Sequence, residues 1–165
     1  MTDRELLAKI AAGDVEALGE LYDRYARMLY QFALALTRSR DAAEEVIQNV
    51  FLGLLRSRVR LAEVKDIRSY LFRVVRNEVS HLGRKPLGDS STLELVEAPE
   101  GIPQREVLEA NEALSRLPQE QLEVVVLKVW QGMTFAEIAQ ALDIPANTAA
   151  SRYRYAMEKL RKWLT

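Results

Sequence analysis

Six polar side chains near the C-terminus, Asn147, Thr148, Ser151, Arg152, Tyr155 and Lys159, recur on one side of a helical period. Hydroxyls, an amide, a guanidinium and an ammonium are the groups that hydrogen-bond base edges and hold phosphates. The opposite side of the same stretch carries Ala149, Tyr153, Ala156 and Leu160, which the spacing predicts as buried. Charge agrees with a polyanionic partner. Between positions 146 and 165 lie Arg152, Arg154, Lys159, Arg161 and Lys162 against Glu158 alone, although the whole chain is net −1.

A short helix must present this one. Thr134-Phe135-Ala136-Glu137 reads as a capping box, a Thr cap with Glu three residues on. Phe135, Ile138, Ala139 and Leu142 then form an apolar stripe, and Asp143-Ile144-Pro145 breaks the helix so that Pro145 opens the next. Two helices across a tight turn, the second basic outside, make the geometry that carries side chains into a major groove. An ordinary helical hairpin with a solvated basic face has the same periodicity, so pattern alone leaves both open.

Composition narrows the rest. The 165 residues allow one domain or two small ones. With no Cys there is no disulfide, thiolate metal site or Cys nucleophile, which fits a reducing, cytoplasmic setting. Asp3 and Glu5 and the lack of an apolar run argue against a signal peptide, and no uncharged apolar run approaches the ~18 residues of a membrane span. Hydrophobic residues make up 48%, Gly numbers seven, and alternation is scarce, so the expected fold is all-α. Val124-Val125-Val126-Leu127 could pass for a strand, yet Leu122, Val125, Val126, Val129 and Trp130 continue a helical stripe across it.

Upstream, four amphipathic helices are expected. Thr2 with Glu5 caps the first, which Gly13 ends; Asp14, Asp41 and Asp66 open the next three. Tyr22 is counted with Leu18, Leu21 and Tyr25 in the second apolar stripe. Residues 86–106, with three of the five prolines and no period, read as a flexible linker between a helical domain at 1–85 and a tri-helical or four-helix unit with helix-turn-helix at 107–165. The linker is net −4, whereas Arg56 to Lys85 is net +6, so two basic patches flank an acidic tether.

Three segments in order resemble bacterial extracytoplasmic-function sigma factors of the sigma-70 family. Asp41-Ala-Ala-Glu-Glu-Val-Ile-Gln-Asn-Val-Phe-Leu52 resembles their polymerase-binding helix, and Ser69-Tyr-Leu-Phe-Arg-Val-Val-Arg-Asn77 their −10-reading helix. Leu117-Pro-Gln-Glu-Gln-Leu-Glu-Val, with the helix-turn-helix after it, is similar to their −35-reading domain. The resemblance implies a dissociable subunit that binds core RNA polymerase, recognises promoter DNA and directs initiation, with no chemistry, metal or cofactor of its own. An anti-sigma protein is the further partner such a family implies. On the third helix Glu45, Gln48 and Leu52, with Asn49 beside them, would meet the polymerase. Arg58, Arg60, Lys65, Tyr70, Arg73, Arg76 and Asn77 would serve the −10 DNA, where an extruded base needs hydrogen-bonding partners and a stacking wall. Thr148, Ser151, Arg152, Tyr155 and Lys159 would serve the −35 duplex.

Departures from the family pattern touch these roles. Asn49 stands where Glu is usual, Ala150 where Lys is common, and Asp143 at the turn Gly; Asp tolerates the left-handed conformation that turn needs. Competing readings remain: an enzyme, from Glu78-x-x-His81 as half of a di-iron element in a chain with one His; a stand-alone helix-turn-helix regulator; or an interaction bundle without DNA.

Overall fold

The computed structural model describes residues 1–82, 101 and 103–164. All regular structure among them is helical. The first unit comprises α1 (Asp3–Ala11), α2 (Val15–Thr37), α3 (Arg40–Arg56), a 3-10 segment (Arg58–Glu63) and α4 (Ile67–Leu82). The second comprises α5 (Gln104–Arg116), α6 (Gln119–Val125), a π-helical continuation (Val126–Trp130), α7 (Phe135–Leu142) and α8 (Ala146–Leu164). The linker expected at 86–106 lies outside the described residues, apart from Gly101 and 103–106; Gln104 already opens α5, so that helix begins inside the expected linker.

Local chemistry sets the boundaries. Thr2 Oγ1 accepts from the Glu5 amide at 3.1 Å and Asp14 Oδ1 from Ala17 at 3.2 Å, each satisfying a donor the helix start leaves open. Asp66 does the same for Ser69 at 3.2 Å. The third helix starts differently from the sequence expectation. Arg38 adopts a left-handed conformation (φ 56°) that ends α2, and the extended Ser39 caps α3 by accepting from Ala42 at 3.2 Å. Asp41 therefore sits inside the first turn, where its charge still opposes the positive helix end. At Thr134 both bonds of the capping box form, 3.1 Å from the Glu137 amide and 3.0 Å back to its carboxylate. Asp143 takes the left-handed turn (φ 56°) without a glycine.

The apolar stripes converge as the periodicity requires. Leu21, Leu29, Phe32, Leu71, Phe72 and Val75 are fully buried, and Phe32 meets Phe72 edge to face at 5.3 Å. Tyr22 departs from its stripe. It is 48% exposed, with only its edge on Phe51, because the ring lies on the rim of a groove between α2 and α3. Val124 to Leu127 are buried helix, with no strand among the described residues. The two units touch: α4 packs on α7, and α2 on α6 and its continuation.

Candidate polymerase and nucleic-acid interfaces

Alpha-helical spacing gathers the first set of candidates on α3. Glu45, Gln48 and Leu52 are exposed, and Leu52 and Gln48 border the groove beside Tyr22, Tyr30, Ile47 and Phe51, a cleft of about 680 Å³. Its lining is mainly apolar, with Arg27, Glu44 and Gln48 among the apolar and aromatic side chains, a mixture that an amphipathic helix can meet. Asn49 is placed elsewhere: its amide donates to Glu78 Oε1 on α4 at 3.0 Å and so cross-links two helices. Glu78, paired in sequence with His81, is thereby engaged in packing. Among the described residues no cluster of His, Asp or Glu could hold a metal ion.

The second set divides. Arg58, Arg60 and Lys65 stand exposed on and after the 3-10 segment, which is anchored by the fully buried Leu61. Tyr70 is half-buried against the core, so its ring serves packing and keeps only part of its face free. Arg73 and Arg76 point at the second unit. Arg73 donates to the Gln140 carbonyl, and Arg76 Nε lies 3.1 Å from Glu123 Oε2. Asn77 joins both, with Arg152 and Glu120, around a polar cavity of about 300 Å³.

The third set lies on α8. Thr148, Ser151, Arg152 and Lys159 are half-exposed and Tyr155 is 49% exposed, while Ala149, Ala156 and Leu160 are buried as the stripe requires. Tyr153 is half-buried, with its ring edge-on to Phe135 at 5.6 Å. Ser151 spends its hydroxyl on the Asn147 carbonyl at 2.9 Å. Arg152 Nη2 lies 3.9 Å from Glu120 Oε2, a weak, solvent-screened pairing. The structure thus brings Arg73, Arg76, Asn77 and Arg152 to one cavity. In this closed arrangement they face one another instead of two separate DNA elements.

Residues that the sequence reading passed over hold this contact. Arg68 donates to the Gln131 carbonyl and lies 3.9 Å from Glu137, and Ser69 Oγ reaches the Glu137 carbonyl at 3.4 Å. Glu123 has a side chain only 2% exposed. A carboxylate set between Leu122 and Val124 in an apolar run was the available signal, since buried acids are paired.

A further cluster ties α1 to α2. Asp3 accepts from Tyr25 at 2.5 Å and from Arg24 at 3.0 Å. Burial, and then the bond to Asp3, push the Tyr25 phenol above its ordinary value. A raised folded value means the stability this group contributes is full below pH 10 and is lost as pH rises beyond it. The stability advantage of the wild type over Tyr25→Phe, followed by urea unfolding, should therefore be constant at neutral pH and shrink above pH 10. A constant advantage to higher pH would remove the assignment.

Fold and surface together define an all-helical, two-unit protein with a helix-turn-helix and, apart from it, a groove between α2 and α3. Comparison with known proteins narrows this. Residues 21–85 match sigma-70 region 2, and residues 107–160 match sigma-70, region 4. The ECF RNA polymerase sigma factor SigM of Mycobacterium tuberculosis is 30% identical over 99% of this chain and 85% of its own length; SigL of the same organism is 30% identical over 92% and 90%. Among solved structures, CnrH in complex with the cytosolic domain of CnrY superposes with a TM-score of 0.77 at 27% identity, covering 98% of this chain and 96% of that one. The Bartonella quintana sigma factor RpoE shares the fold, with a TM-score of 0.71 at 20% identity over 88% of this chain and 96% of its own. The chain belongs to the extracytoplasmic-function sigma factors of the sigma-70 family. It is an RNA polymerase sigma factor acting in promoter recognition and transcription initiation, which sets aside a stand-alone regulator. No helix among the described residues is long and apolar enough to cross a membrane.

Proposed function

We propose a division of labour in which residues 1–85 bind core polymerase and the −10 element, 86–106 form the tether, and 107–165 bind the −35 element. The protein would act in the cytoplasm as a non-enzymatic subunit, nucleotidyl transfer being left to the core. The observation that carries the polymerase assignment is the α2–α3 groove, whose mainly apolar lining is left uncovered while Glu45 and Gln48 stand on exposed turns of α3. Glu45→Arg with Gln48→Ala should weaken core binding at least tenfold and leave helicity and melting near wild type, because neither side chain is needed for the domain's own core. Unchanged affinity in a pull-down against core enzyme would remove α3 from the dock. Asn49, committed to Glu78, is expected to contribute through helix packing and to act on core binding only indirectly.

For DNA, Arg58, Arg60 and Lys65 are available to single-stranded −10 bases and phosphates as the protein stands, whereas Arg73, Arg76 and Asn77 become available when the units part. Thr148, Ser151, Arg152, Tyr155 and Lys159 form the −35 reader. Arg152 is expected to carry more of that affinity than any other side chain, since a guanidinium can take a guanine edge with two hydrogen bonds. Arg152→Ala should cost about 1–3 kcal/mol and flatten base preference across a library of −35 variants; a uniform loss would mean a phosphate contact instead. Full activity with unaltered preference would leave Arg152 a surface residue. An anti-sigma protein is also proposed as a partner, as RpoE of Bartonella quintana was solved with the anti-sigma factor NepR.

A further inference from the structure

We propose that α1 is a positioning element for the −10-reading loop, held in register by Asp3 through its bonds to Arg24 and Tyr25. The inference rests on the reading of the 3-10 segment as that loop. The helix lies outside both matched sigma regions, which begin at residue 21 and residue 107. Yet α1 is the main surface on which the 3-10 segment packs, with a smaller contact to α3. The segment is poorly fixed by itself. It has no side-chain cap, and Leu61 is its one buried residue, while Val59 beside it is 72% exposed. Short 3-10 turns have weaker hydrogen-bond geometry than α-helix, so the seat of Leu61 decides where Arg58 and Arg60 stand.

That seat depends on α1, whose Leu6, Leu7 and Ile10 are buried at 0%, 3% and 1% exposure. Two devices hold α1 in turn. Gly13, at φ 99°, makes the reversal into α2, a conformation that side chains other than glycine's rarely adopt. At the other end Asp3 binds Tyr25 at 2.5 Å and Arg24 at 3.0 Å, and Arg24 also donates to the Met1 carbonyl at 2.7 Å. A helix of nine residues is marginal alone, so these ties and its apolar face supply its order. Release of Asp3 would let α1 slide or fray and move two arginines whose task is to meet a base within hydrogen-bonding distance.

The test uses holoenzyme assembled from core polymerase and the full chain, with a short randomised single-stranded DNA pool as probe. Asp3→Ala is expected to lower the base preference recovered from the pool about tenfold, the loss of one base contact at the low end of its usual range. Core binding and binding of −35 duplex should stay unchanged, and Asp3→Glu should restore the preference. In the same variant the Arg60 and Val64 amides, which bond to Ser57 and Leu61, should exchange faster while those of α4 do not. Should Asp3→Ala melt too low to assemble, Tyr25→Phe carries the same expectations. Preference and exchange unchanged in a folded variant would overturn the role of α1. Arg58→Ala and Arg60→Ala separate the two ideas: if they too leave the preference intact, the loop itself is not the reader.

Discussion

Replacing Arg76 by Ala should open the protein. The closed contact places the Glu123 carboxylate, 2% exposed, opposite a guanidinium that is 31% exposed. Removing the arginine leaves an acid buried beside apolar neighbours, with Gln119 Nε2 at 3.3 Å as its remaining side-chain donor. Losing one member of a buried pair costs about 3–5 kcal/mol, and the exposure of Arg76 argues for the lower end. The buried residues of the two units form one continuous cluster, but each unit also packs among its own helices, so the cheapest relief is expected to be for α4 and α7 to part and water to reach Glu123. The radius of gyration should then rise from about 15 Å, expected of a compact chain of this length, toward about 20 Å with the tether as a free coil. Glu123→Gln, which removes the charge and keeps hydrogen-bonding capacity, should stay closed. Small-angle scattering reads both variants. A compact Arg76→Ala protein would show that apolar packing alone keeps the units together.

What could be read from the chain follows from where the determining forces are local. The capping box at Thr134, the turn at Asp143 and the stripe Ala149, Tyr153, Ala156 and Leu160 depend on residues within a few positions; the first two stand as expected, and of the stripe all but the half-buried Tyr153 are buried. Ser39 does not stand out as a cap in the sequence because Asp41 competes for the same role, and the choice is made by the left-handed Arg38 before it. The period of α2 counts Tyr22 inside, because it registers the face of a helix but not where the neighbouring helix ends and a groove begins. Asn49 was visible as a departure from the family pattern, yet its bond to Glu78 joins positions 29 apart and no local signal announces it. The same holds for Arg68, Arg73 and Arg76. Arg73 and Arg76 are legible as candidates on α4 and Arg68 is not, and that α4 is met by α7 and Glu123 depends on the docking of two units.

Core polymerase, on this reading, must break that docking. The residues from 86 to 103, ahead of α5, can span at most about 60 Å, at ~3.3 Å per residue. Promoter elements roughly 17 base pairs apart lie about 58 Å from each other on B-DNA, at ~3.4 Å per pair. Simultaneous contact with both therefore requires a drawn-out tether and the loss of the bonds from Arg68, Arg73 and Arg76 to the second unit. DNA alone could gain those arginines, but only after the separation has been paid for in lost contacts. The polymerase would supply the differential affinity if the α2–α3 groove, open in the closed form, is its first foothold as proposed. The −4 charge of the tether suits a basic channel and opposes binding to duplex DNA. With no native Cys, single thiols at Asp23→Cys on α2 and Arg161→Cys on α8, both exposed, take distance labels without competition. The free protein should show one short distance, and addition of core polymerase should lengthen it by some tens of ångströms before any promoter is present. An extended distance already in the free protein would make the tether a stiff spacer, and a short distance kept on core would give the separating step to DNA.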